Sequence, residues 1–194
     1  MNSPIRIGNS VLAVLWLLAS LAGMLTLRRY SQTPAPMGRA VRSWPISSKL
    51  LPESNRPTFV IFLHPHCPCS KASFAVMQEL VEKSAGQVKF YAVFVRPTNV
   101  ASQWEQSDLY KRSVAFNKIA TVVDDGGIEA KAFGALTSGQ TYVYGPAGHL
   151  NFAGGITSGR GMLEIGPERK LIEQALAVNL MASTKTPVYG CSLL

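Results

Sequence analysis

From Ile7 to Leu27 the chain reads IGNSVLAVLWLLASLAGMLTL, a run of 21 residues without a charge. As a helix rising about 1.5 Å per residue, it would span roughly the 30 Å hydrocarbon layer of a bilayer. The run withdraws part of the apolar content from any water-soluble core and leaves the remainder of the chain to build a single domain. Composition agrees: of 194 residues 47% are apolar and only 15% charged, against roughly 25% charged in ordinary soluble domains. Arg28, Arg29 and Tyr30 close the run as interfacial residues do. A cleaved signal peptide is the rival reading, since Ser20-Leu21-Ala22 has the small residues of a processing site. The apolar stretch continues past Ala22 to Leu27, which favours an uncleaved anchor over residues 1–29.

Charge narrows the function class. The net charge is +8, but residues 1–55 carry six Lys and Arg against Glu53 alone, so the rest of the chain is nearly balanced. No basic face is left for nucleic acid, and that class is set aside. Four arginines (Arg28, Arg29, Arg39, Arg42) come after the apolar run and only Arg6 precedes it. Taken alone, this asymmetry places the carboxy-terminal domain in the cytoplasm, whereas its cysteine chemistry fits an oxidising compartment. We expect an exported domain and a single-pass anchor, with the two signals in conflict. Residues 30–57 contain five prolines and no sustained period, the composition of a tether lying over the surface or extending from the membrane.

Residues 58–194 read as an α/β domain. Thr58 to Leu63 (TFVIFL) is a β-branched and aromatic run between Pro57 and His64-Pro65, a buried strand. Lys71 to Ala85 has apolar residues near 3.6 spacing and Gly86 as a stop. Val88 to Val95 is a second strand, Gln103 to Phe116 a helix, and Ile119 to Val123 a third strand. Asp124 or Asp125 is expected to cap a short helix holding Ala130 and Phe133. Gln140 to Tyr144 and His149 to Ala153 form a hairpin about Gly145-Pro146-Ala147-Gly148. Pro167 opens a last helix with Leu171, Ile172, Ala175, Leu176 and Leu180 on one face. Alternating strands and helices ending in a hairpin predict a mixed sheet.

The most specific signal is HPHCPCS, between the first strand and the first helix of the domain. Unpaired N–H groups and the positive end of a helix dipole stabilise a thiolate at such a junction. Cys67 leaves the strand, Pro68 restrains the turn without offering an N–H, and Cys69 falls in the first turn of the helix. His64 and His66 flank the pair and, as imidazolium, would lower a thiol pKa further. Cys67 is expected to be ionised near neutrality and reachable from solvent.

A strand, a Cys-Pro turn and a helix, with a hairpin and a terminal helix after them, resemble the thioredoxin superfamily. More narrowly, HPHCPCS, FGALTSGQTYVYGPAGHLNFAGGIT and TPVYGCSL are similar to the membrane-anchored RedB-type thioredoxin-like proteins of bacteria. The resemblance covers residues 58–194. It implies a thioredoxin-like mixed sheet flanked by helices and a redox role without a bound cofactor, toward protein thiols or a membrane redox partner, on the outer face of the inner membrane. Two departures from the wider pattern bear on mechanism. The position three after Cys67 is Ser70 rather than cysteine, and Cys-x-x-Ser forms a mixed disulfide that it cannot resolve. Resolution then falls to Cys69, through a small strained ring, or to Cys191, if the last residues fold back over the site. The proline that thioredoxins carry before the hairpin is matched by Gly139, whose neighbours Ser138 and Gln140 still offer backbone groups to a substrate strand.

A second reading treats Cys67, Cys69, His64 and His66 as soft and borderline ligands for copper or zinc, as in thioredoxin-fold copper chaperones, whose cysteine spacing is longer. A peroxiredoxin is disfavoured because His64 stands where such enzymes place Thr or Ser. The plainest alternatives are that the cysteines are small core residues, that the histidines are ordinary turn residues, or that the scaffold serves only for docking. Gly154 to Gly161 (GGITSGRG) lacks the ending of a phosphate loop and is expected to shape the exit from the hairpin, with Arg160 pinning the loop. Trp104 and the strand aromatics are assigned to the core.

Overall fold

The computed structural model describes residues 4–163, 166–177 and 183–194, in two compact units, one ending at Thr33 and the other running from Pro34 to Leu194. The first holds one helix, α1 (Pro4–Gln32). Over Ser10–Gln32 it is long and apolar enough to cross a membrane, a property that a signal sequence shares.

The second unit is built on a six-stranded sheet. In chain order its elements are β1 (Thr58–Leu63), α2 (Pro68–Ser84), β2 (Lys89–Arg96), α3 (Asp108–Ala115), β3 (Ala120–Asp125) and α4 (Ile128–Phe133). After them come β4 (Thr141–Tyr144), β5 (Leu150–Gly154), α5 (Pro167–Ala175) and β6 (Thr184–Lys185). The strand order is β3-β2-β1-β4-β5-β6. β1, β2 and β3 are parallel, β4 pairs antiparallel with β1 and with β5, and β6 runs parallel to β5.

Period-2 alternation sends each central strand's side chains into two separate cores. Phe59, Ile61 and Leu63 of β1, with Phe90, Ala92 and Phe94 of β2, face α2, α3 and α5. Val60 and Phe62, with Tyr91, Val93 and Val95, face α4, Leu50 and Leu193. Because both faces are covered, β1 is buried along its whole length, which explains an uninterrupted apolar run in place of an alternating one.

The elements differ from the sequence expectation at three places. The helix expected from Gln103 starts only at Asp108, because the Ser107 side chain accepts the Tyr110 N–H at 3.2 Å and caps it there, while residues 101–106 form turns. Asp124 is the last buried residue of β3 rather than the cap of α4. Its carboxylate nevertheless accepts the N–H groups of Glu129 and Ala130 at 2.9 and 2.8 Å, as a cap would. Residues 34–57, expected as a tether, are part of the domain. Ala35 N–H donates to Val188 O, Trp44 N–H to Gly148 O, and Leu150 N–H to Arg42 O. The Trp44 ring meets Phe133 and Tyr144 edge-on, at 5.2 Å from each. Proline-rich composition forbids a regular element here but not burial of its few apolar residues. Leu180, assigned to the face of the last helix, lies outside the described residues.

Candidate active site

Cys67 occupies the N-cap of α2, with extended backbone (φ −81°, ψ 123°), and Pro68 takes the first helical position, where no N–H is needed. The chain reaches it from β1 through one tight turn, in which the Cys67 N–H donates to His64 O at 3.1 Å. Cys69 falls within the first helical turn and is partly exposed, whereas Cys67 is only 3% exposed. What covers Cys67 comes from the far end of the chain. The Cys191 Sγ lies 2.6 Å from the Cys67 Sγ, across 124 positions of sequence.

Burial opposes ionisation of Cys67. Hydrogen bonds from the Cys191 thiol and backbone, and from the backbone N–H groups of Cys69 and Ser70, outweigh it and hold the thiol below its ordinary range. Cys191 moves the other way: burial raises it, and so does its proximity to Cys67. Burial and the charge of Cys67 raise Cys69 as well. Of the three sulfurs, Cys67 alone is biased toward thiolate, and the proton is biased toward Cys191 beside it. The expectation that Cys67 would be open to solvent is not met: it is 3% exposed, with the Cys191 sulfur packed against it.

Ser70, at the place of the missing second cysteine, is fully buried. Its Oγ donates to His64 O at 2.8 Å and lies 2.7 Å from the Ser138 Oγ, which in turn accepts the His64 N–H at 2.9 Å. A hydroxyl here fastens the end of β1, the start of α2 and the loop before β4 to one another. In the same loop Gly139 stands at φ +88°, with its N–H donating to Phe62 O at 2.7 Å. Neither feature is open to proline. The Gln140 side chain braces the preceding turn, its Oε1 accepting the N–H groups of Leu136 and Thr137.

The loop edge carries a short strand pairing. Ser138 N–H donates to Cys191 O at 2.8 Å, Leu193 N–H donates to Leu136 O at 3.0 Å, and Thr137 and Ser192 stand opposite each other as an antiparallel bridge. Arg160 Nη1 donates to Gly190 O and clamps the segment from outside. Ser138 thus gives its backbone N–H to residue 191 of this same chain, whereas that of Gly139 goes to Phe62 O.

The histidines are engaged elsewhere. His66 Nε2 lies 2.7 Å from Trp104 O, and the His66 N–H donates to His64 Nδ1 at 3.2 Å. Both rings meet Trp104 edge-on, at 5.1 Å for His64 and 4.7 Å for His66. Burial, with the neighbouring His66, holds the His64 pKa below its ordinary range. Neither imidazole is a hydrogen-bond partner of a thiol among the described residues. Trp104, assigned to the core, instead packs on this histidine pair at the rim. Among the described residues no three of His, Cys, Asp and Glu are gathered as a metal ion would need.

The sheet order, the mixed directions and the cysteine at the N-cap of the helix after β1 define a thioredoxin-like fold. No family model matches the chain, and no curated protein is similar to it. Solved structures are. An uncharacterized conserved protein from Geobacillus kaustophilus is 18% identical with a TM-score of 0.57, over 84% of this chain and 92% of its own. A hypothetical protein from Sinorhizobium meliloti is 15% identical with a TM-score of 0.58, over 84% of this chain and 96% of its own. A secreted Mycobacterium tuberculosis disulfide oxidoreductase is 12% identical, over 70% of this chain and 94% of its own, with a TM-score of 0.43. At these identities the likeness to the first two concerns the fold alone.

Proposed function

We propose that this chain is a membrane-anchored thiol-disulfide oxidoreductase of RedB type, with its domain on the outer face of the inner membrane of a bacterium, acting on protein thiols or a membrane redox partner. The observation that carries the reading is the 2.6 Å approach of the Cys67 and Cys191 sulfurs. Cys67, as thiolate, attacks a partner disulfide. The partner's S–S bond breaks, a Cys67–partner bond forms, and one partner sulfur leaves as thiolate. Cys191 then gives up its proton and attacks the Cys67 sulfur, releasing the second partner sulfur. The partner has gained two electrons, and Cys67 and Cys191 have lost two. The same steps in reverse oxidise a partner dithiol, and the relative potentials set the direction. Cys69 is the less suited resolving group, because a Cys67–Cys69 bond would close a small strained ring across Pro68, whereas the Cys191 sulfur already lies 2.6 Å from that of Cys67. The copper reading has no observation of its own in its favour, since the His66 ring is committed to Trp104 O.

Full-length protein in detergent, oxidised mildly and then alkylated and digested, tests this. The expected product is a single disulfide joining the peptides of Cys67 and Cys191, absent from Cys67→Ser. Recovery of a Cys67–Cys69 bond, or of three alkylated thiols, would reject the assignment.

A further inference from the structure

We propose that the loop edge Leu136–Ser138 is a docking site for an extended client segment of the form Gly-Cys-x-Leu, and that residues 190–193 occupy it as an internal stand-in for that client. The chemistry of exchange rests on the proposed oxidoreductase function; the docking does not.

Backbone pairing alone accepts any sequence, so selectivity in strand addition comes from side chains at alternate positions. Those positions are visible in the occupant. Cys191 and Leu193 are two residues apart and both point inward, one at Cys67 and the other buried to 1% exposure in the core beside Phe62 and Ala135. Ser192, between them, is exposed. At Gly190 a Cβ would overlap the Ser138 carbonyl, so only glycine fits before the cysteine. The occupied edge therefore reads three things: a glycine, a thiol after it, and a large apolar side chain two residues further on. With the segment in place Cys67 is 3% exposed, so a client disulfide reaches it only once the segment has moved off, which frees the same edge for the client. The internal segment and the client compete for one set of hydrogen bonds.

Binding and chemistry are tested separately on the full-length protein in detergent. The probe is a fluorescent peptide with the sequence of residues 188–194, blocked at both ends and with serine for the cysteine, so that no exchange occurs. Leu193→Asp, and Leu193→Ala as a milder second variant, withdraw the internal leucine. Each is expected to bind the probe about tenfold or more tighter than the parent protein by fluorescence anisotropy, and a probe with aspartate for its leucine is expected to lose about tenfold. No binding to either variant, or equal binding of the two probes, would overturn the docking site. So would a parent protein that is dimeric through exchange of this segment, since the edge would then belong to a second copy. An aromatic disulfide that needs no docking reports on Cys67 alone. Its failure to react with the Leu193 variants would remove the oxidoreductase reading while the anisotropy result still stands by itself.

Discussion

Ser70 is the residue whose role its neighbours decide. Read along the sequence it is a vacancy, the second cysteine of a familiar pair gone missing. In the fold its hydroxyl joins His64 O and the Ser138 Oγ in a place with no access to water. Removing it takes two hydrogen bonds out of a buried site, although His64 O keeps the Cys67 N–H and the Ser138 Oγ keeps the His64 N–H, and Ser70→Ala is expected to lose about 1–3 kcal/mol in urea unfolding of the domain. At Cys67 the pH dependence has a definite sign. Burial is the largest influence on the Cys67 pKa and raises it, but the hydrogen bonds together, that of the Cys191 thiol first among them, outweigh it and hold the pKa below its ordinary value. The midpoint of its alkylation rate against pH should therefore lie below that of a free cysteine and move upward in Cys191→Ala, where the thiol donor is gone. Absolute rates will rise in that variant because the cover is thinner, so the midpoint is the quantity to compare.

At the level of elements, the junction of β1 and α2 was legible from the sequence, because a buried β-branched run, a proline and a 3.6 period each carry a local signal. Cys67, Pro68 and Cys69 stand where those signals put them. What stayed hidden depends on partners far along the chain. No period marks residues 191–193 as a strand, since their pairing is with Leu136–Ser138 and exists only once β4 has positioned that loop. Trp104 carries the composition of a core residue, and only the turn before α3 sets it against His64 and His66. Gly139, by contrast, stands in the loop before β4 for a conformational reason. At φ +88°, with the Ser73 Oγ 2.8 Å from where a Cβ would sit, Gly139→Ala is expected to cost about 1–3 kcal/mol. That would lower the unfolding temperature, and Gly139→Pro should lower it further by also removing the bond to Phe62 O.

For the whole molecule, Thr33 divides the chain into an apolar helix and a domain that begins with the proline-rich segment rather than with β1. A truncation starting at Thr58 would strip Trp44 from Phe133 and Tyr144, and Leu50 from its core. It should yield less soluble protein and a broader unfolding transition than one starting at Pro34. Protease added to intact spheroplasts is expected to digest the domain, and a protected domain would place it in the cytoplasm, as the arginine asymmetry suggests. The two sulfurs at the site have one more effect, on folding. Between residues 67 and 191 the chain travels through nearly every strand and helix of the sheet. A covalent link there closes a loop of more than a hundred residues and in the chain-entropy account withholds about 5 kcal/mol of freedom from the unfolded ensemble. Electron transfer at this site would then act as a ratchet on the whole architecture. Giving up two electrons tightens the domain and regaining them loosens it, so unfolding midpoints with and without reductant would report the redox state of a single bond.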